Sequence, residues 1–208
     1  MDAREVPTKL GANQLIASGL EAALRARAPG VHASTPMVRE LAVRVCGSLG
    51  LGEREQALVD TCARVRDVGM LALPDSVVLI TGPLDPSGWA LVNRHPALGA
   101  DLLQSLGGFD AEAPVVRAHH ERWDGEGYPD GLRAESIPLL SRIISACDAF
   151  VAMASDRPSA PATHVSANSW LVCRSRCQSL SPSAGSSSKI LRPGSVPTAS
   201  SRLVPNSS

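Results

Sequence analysis

The eleven residues His119 to Pro129, H-H-E-R-W-D-G-E-G-Y-P, restrict this chain more than any other stretch. Neighbouring residues on a helix point about 100° apart, so adjacent histidines can address one ion only near a helix end or beside a second ion. Imidazoles suit borderline transition metals such as Fe, Mn or Zn, and Glu121, one residue on, can orient such a group from outside. Gly125 and Gly127 permit a tight backbone path, and Pro129 stiffens its exit. Tyr128, the one tyrosine of the chain, rides on that loop, where its ring can stack on a base or its hydroxyl reach a phosphate. Any single histidine here reads as an ordinary surface or core residue. The whole run does not.

The remaining sequence sets the scaffold for that run. With 208 residues there is room for one domain with a real core. Hydrophobic residues make up 44% but aromatics only 3%, which points to helices packed through Ala, Leu and Val. Residues 1–158 carry 15 basic and 20 acidic side chains, and residues 159–208 carry five basic and no acidic ones. An acidic body lacks the basic face that general DNA binding needs. Five cysteines at irregular spacing form no secreted framework: Cys46, Cys62 and Cys147 read as small core residues, and Cys173 and Cys177 make a lone C-x3-C pair. No apolar run is long enough for a membrane span and no signal core opens the chain, so a soluble, cytoplasmic setting is expected.

Helical periodicity recurs along the body. Residues 1–11 read as a flexible leader. Leu15, Ile16, Leu20, Ala23 and Leu24 then fall on one face of a helix stopped by Pro29-Gly30. Ser34 or Thr35 caps a second helix with Pro36 in its first turn. Glu53 and Glu55 open a third, running to Val68-Gly69. Val77 to Ile80 resembles a short strand. Asp85-Pro86 starts a fourth helix, Pro96 to Leu106 forms a fifth, and Asp110 caps a sixth that delivers His119 and His120. Pro138 begins the last, to about Asp156. The expected architecture is all-α, roughly seven helices over residues 12–158. From Ser159 to Ser208 the chain turns serine- and proline-rich without periodicity, which predicts a disordered tail. A shifted reading frame or an unrelated extension is one account of it.

The central run resembles the signature of the HD-GYP family, helical metal-dependent phosphohydrolases that cleave cyclic di-GMP in bacterial signalling. The likeness continues through Gly131-Leu132 and Ile137-Pro138-Leu139, and Ser141 to Ala149 looks like the family's metal-ligand helix. The resemblance implies an HD-domain-like bundle and a two-metal centre, with ions roughly 3.5–4 Å apart activating water and stabilising phosphoryl oxygens. Carried over residue by residue, the ligands are Asp67 as bridging carboxylate, His95 in H-P-A-L-G, His119, His120 and Asp148. Asp67 and Glu121 become the catalytic pair, and Asp124, Gly125, Gly127, Tyr128 and Pro129 the cyclic dinucleotide loop.

Four departures accompany the match. Arg66 stands where the family has the histidine before the aspartate, and Ser34 where it has an early histidine, with His32 two residues away. Met70 replaces a lysine and Val151 an acid. A fixed charge about 4 Å from an ion, at an effective dielectric near 20, repels each unit of its charge by about 4 kcal/mol. One divalent ion (Fe, Mn or another) is therefore expected rather than two, with Arg66 paired to Asp67 or anchoring a substrate phosphate. The implied activity is an impaired cyclic di-GMP phosphodiesterase. The alternative is a pseudoenzyme that binds a cyclic dinucleotide or a signalling protein.

Overall fold

Apolar stripes and stop signals become helices in the computed structural model, which describes residues 9–80 and 82–154. In chain order these are α1 (Lys9–Arg27), the single turn α2 (Pro29–His32), α3 (Thr35–Ser48), α4 (Glu53–Val65), a 3-10 turn (Val68–Ala72), α5 (Asp75–Val78), α6 (Pro86–Val92), α7 (His95–Leu106), α8 (Glu112–Arg117), a second 3-10 turn (Ala134–Ser136) and α9 (Leu139–Ala154). Seven of these helices exceed a single turn, and no strand occurs among the described residues. The all-α expectation holds. Asp85 caps α6 as its position before Pro86 predicts, accepting from the Gly88 N–H at 2.7 Å. Gly107 ends α7 at φ +72°, a conformation that disfavours any side chain.

Several boundaries differ from the sequence expectation. Helix α1 starts at Lys9, inside the expected leader. The strand-like Val77-Val78 pair is helical: its amides bond back to the Pro74 carbonyl at 2.9 and 3.1 Å, and both side chains bury against Leu73 and Val92. Helix α4 stops at Val65, so Arg66 and Asp67 leave the helix three residues early. Helix α8 starts from an Ala113 N–H bond to Phe109 O rather than from an Asp110 cap. The expected tail of residues 159–208, with its cysteine pair, lies outside the described residues, as do residues 155 and 156.

Two apolar clusters hold the helices together. The larger joins α1, α3, α4, α7, α8 and α9 through residues such as Ala17, Val38, Cys62, Leu103, Phe109, Val116 and Ile144. The smaller gathers Leu24, Met70, Leu73, Val77, Val78 and Val92 beneath α5 and α6. Between them the first 3-10 turn crosses the start of α7 at backbone distance. A Cβ on Gly69 would stand 2.0 Å from His95 O and 2.6 Å from Gly99 N, so only glycine allows the crossing. Gly99 serves it from the other side, which gives the His-Pro-x-x-Gly spacing a packing reason. No described helix is long and apolar enough to cross a membrane.

Candidate metal centre

Asp67 leaves α4, His95 opens α7, and His119 and His120 follow the last turn of α8. These four residues each offer a ligand atom, all within 4.8 Å of one another. The twin histidines manage this because α8 ends at Arg117 and the chain turns at Ala118 (φ −97°, ψ 8°). His95 Nε2 lies 3.3 Å from His119 Nε2 and 3.5 Å from Asp67 Oδ1, and His119 Nε2 lies 3.9 Å from the same oxygen. Asp67, His95 and His119 are each at most 4% exposed.

Their hydrogen bonds fix what those atoms can be. His95 Nδ1 is 2.7 Å from Val92 O, and His119 Nδ1 is 2.6 Å from Val116 O. A carbonyl only accepts, so both Nδ1 atoms carry protons, and in neutral rings both Nε2 atoms present lone pairs. Two lone pairs and a carboxylate oxygen thus point into one space with no proton to share. That donor set fits a divalent transition ion, and the carbonyls behind the rings are the usual supports of metal-bound imidazoles.

Charge follows the same geometry. Burial alone would raise Asp67, but the Arg66 guanidinium 3.2 Å away, together with His95 and His119, outweighs it and holds the carboxylate ionised well below its usual range. Burial, reinforced by neighbouring His95, pushes His119 down to about 3. An unfolded chain protonates that imidazole near its ordinary pKa of about 6.5, so between these values the unfolded state binds the extra proton. Stability is therefore present above about pH 6.5 and is lost as pH falls toward 3, at about 1.4 kcal/mol per pH unit for one proton. Urea titrations in chelator at pH 7, 6 and 5 should show that decline. A flat profile would mean that His119 is not held neutral.

Arg66 and Asp148 form the other side of the centre. Arg66 is 2% exposed. Nη1 donates to Thr35 Oγ1 and Ala63 O, both at 3.0 Å, and Nη2 donates to Ser34 Oγ at 3.0 Å. Nη2 also meets Asp148 Oδ1 and Asp67 Oδ2 at 3.2 Å. Of the two roles expected for Arg66, pairing with Asp67 and anchoring a phosphate, the structure shows the first, with the terminal nitrogens engaged by protein. Ser34, expected as a possible helix cap, makes no capping bond and serves the guanidinium instead.

The glycine loop closes over the histidines. Tyr128 stacks on His120 with centroids 4.9 Å apart and planes at 26°, and Tyr128-Pro129 is cis. Gly125 has φ +80°, and a Cβ on Gly127 would stand 2.3 Å from Arg122 N and 2.5 Å from Glu121 Cα. The Asp124 carboxylate accepts from Arg122 and from the Glu126 N–H, with its pKa held down to about 2, mainly by the Arg122 bond. Arg117 and Asp130 pair through two 2.7 Å bonds, and Arg142 lies 5.6 Å from the centroid of Trp123.

Residues 13–172 match the HD domain family. The chain belongs to that family. Within it the residues place this HD domain with the HD-GYP proteins. It is 38% identical over 143 residues to the cyclic di-GMP phosphodiesterase response regulator RpfG of Xanthomonas campestris, covering 68% of this chain and 38% of that protein. It is 32% identical over 159 residues to 3'3'-cGAMP-specific phosphodiesterase 2 of Vibrio cholerae, covering 76% of this chain and 29% of that one. The chain thus spans well under half the length of these relatives. Among solved structures, Bd1817, an HDG"Y"P protein of Bdellovibrio bacteriovorus, shares the fold with a TM-score of 0.50 at 24% identity, over 59% of this chain and 40% of that one.

The HD domain brings four of the five expected ligands to one point, while Asp148 sits across the guanidinium from them. Glu121, expected to be catalytic, is 3% exposed and accepts the Asp130 N–H at 2.7 Å, so it braces the loop. Gly125, Gly127, Tyr128 and Pro129 lie on the loop over the ligands, with Asp124 on its outer edge. His32 does not join the centre: its Nε2 is 2.9 Å from Glu21 Oε1, in a network that also holds Arg64 at 3.2 Å. Val151 is buried on α9 and Met70 in the smaller apolar cluster. Sequence reasoning misses Thr35 and Gly69. Gly69 carries a signal, a glycine two residues beyond a candidate ligand, and Thr35 carries none.

Proposed function

We propose that this HD domain is a metal-dependent phosphodiesterase module acting on a cyclic dinucleotide. The observation that carries the reading is the convergence of two Nε2 lone pairs and Asp67 Oδ1 beneath the Tyr128 loop. A divalent ion bound there would polarise a phosphoryl oxygen and make water acidic enough to attack at neutral pH. The chain's own residues supply the rest. Val92 O and Val116 O accept from the two Nδ1 atoms and so aim both Nε2 atoms at the common space. Asp67 contributes the negative charge, and Tyr128 offers an aromatic wall beside His120 on which a base can stack.

That the relatives' names specify cyclic di-GMP and 3'3'-cGAMP supports the substrate class. A cytoplasmic role in bacterial signalling, with signalling proteins as partners, goes with it. Arg66 favours a second reading, a module that binds the dinucleotide without cleaving it, because a buried guanidinium meets two of the five expected ligands.

The purified protein, loaded with Mn(II) and given cyclic di-GMP or 3'3'-cGAMP, should release linear dinucleotide in a reaction stopped by chelator. Binding of either dinucleotide without linear product would favour the second reading. Neither binding nor product would end both.

A further inference from the structure

We infer that Arg66 is a resident cation filling the space between Asp67 and Asp148, so that the centre accepts one divalent ion and no second. The inference rests on the proposed ion site at Asp67, His95, His119 and His120 and specifies its stoichiometry. Asp67 is shared between two environments: Oδ2 meets Arg66 Nη2 at 3.2 Å, and Oδ1 faces His95 and His119 at 3.5 and 3.9 Å. The same Nη2 meets Asp148 Oδ1 at 3.2 Å. One guanidinium thus draws on carboxylates from the exit of α4 and from α9.

Arginine is suited to this role because it stays charged at any working pH, and here the two carboxylates raise its pKa further against the opposing effect of burial. A buried charge persists only when paired and hydrogen-bonded, and Arg66 is both. Ser34 Oγ, Thr35 Oγ1 and Ala63 O take further N–H bonds at 3.0 Å each. These partners tie the guanidinium to the start of α3 and the last turn of α4. A second ion touching Asp67 Oδ2 and Asp148 would have to displace a group anchored on three helices. In its absence the guanidinium already offsets one of the two negative charges and contacts both carboxylates, so this half of the centre is bridged without a metal.

Stoichiometry measures the inference directly. Elemental analysis and calorimetric titration of the native protein with Mn(II) should give one ion per chain. Arg66→His removes the fixed charge and adds an imidazole beside Asp67 and Asp148, and it should take up a second equivalent. Arg66→Lys keeps the charge and should remain at one, which also guards against a histidine variant that does not fold. Two ions in the native protein, or two in Arg66→Lys, would overturn the inference while leaving the four-residue site standing. A folded Arg66→His that still binds one ion would overturn it as well. No ion in any of the three would instead remove the underlying site.

Discussion

The Gly69→Ala protein is expected to melt roughly 10 °C below the native one, from a loss of about 3 kcal/mol, and to lose at least ~100-fold in ion affinity. The new methyl would stand 2.0 Å from His95 O and 2.6 Å from Gly99 N. Both neighbours are backbone, so no rotamer change relieves the overlap and the turn itself must withdraw from α7. Asp67 lies two residues before Gly69, and His95 is the residue struck. The ligand pair at 3.5 Å would therefore separate as the clash is relieved. A misplacement of about 1 Å at a site of this kind is enough to change function by two orders of magnitude. Gly19→Ala is the control. It lies exposed on α1 with nothing within 4 Å of a new Cβ, and it should gain up to ~1 kcal/mol from helix propensity. Thermal melts of both variants in chelator, followed by Mn(II) titration, check the prediction. A Gly69→Ala protein that melts with the native one would show that α7 and the turn are not held at backbone contact.

What can be read from the sequence here is whatever is local. The helices, the Asp85 cap, the Gly107 stop and the glycine loop each declare themselves within a few residues, because period and turn chemistry are short-range. The resemblance adds ligand identities, and four of the five meet. What stays hidden is set by contacts between distant segments. Arg66 reads as either a partner of Asp67 or an anchor for a phosphate, and its full burial goes against the usual placement of arginine. Its burial depends on Thr35, 31 residues away, and Asp148, 82 residues away, arriving together. Glu121 sits beside two metal-type histidines and so suggests catalysis, but its direction is decided by the amide of Asp130 across the loop. His32 illustrates the same limit: two residues from Ser34 in sequence, it turns to Glu21 on α1. The apparent strand at Val77 fails for a related reason, since a short apolar run says nothing about whether a partner strand exists.

His119→Ala should abolish stoichiometric ion binding, lowering affinity by about 100-fold or more, and with it any phosphodiesterase turnover and any stabilisation by metal. The native protein at a free Mn(II) concentration 100 times its Kd gains about 2.7 kcal/mol, which for a domain of this size raises the melting point by roughly 5–10 °C. His119 is at the centre of that response: its Nε2 lies 3.3 Å from His95 Nε2 and 3.9 Å from Asp67 Oδ1, with Val116 O holding the far side of the ring. His95→Ala should behave alike, because either loss removes one of the two buried imidazoles that face Asp67 Oδ1. The His95→Ala/His119→Ala double variant should then bind ion no more weakly than the single variants, since residues acting as one unit are not additive. Each variant also opens a cavity in a buried site, so a lower melting point in chelator is expected and does not bear on the test. The decisive quantity is the difference between melts with and without Mn(II). A metal-induced rise that survives His119→Ala would mean that the ion is held elsewhere, and the convergence beneath Tyr128 would then need another explanation.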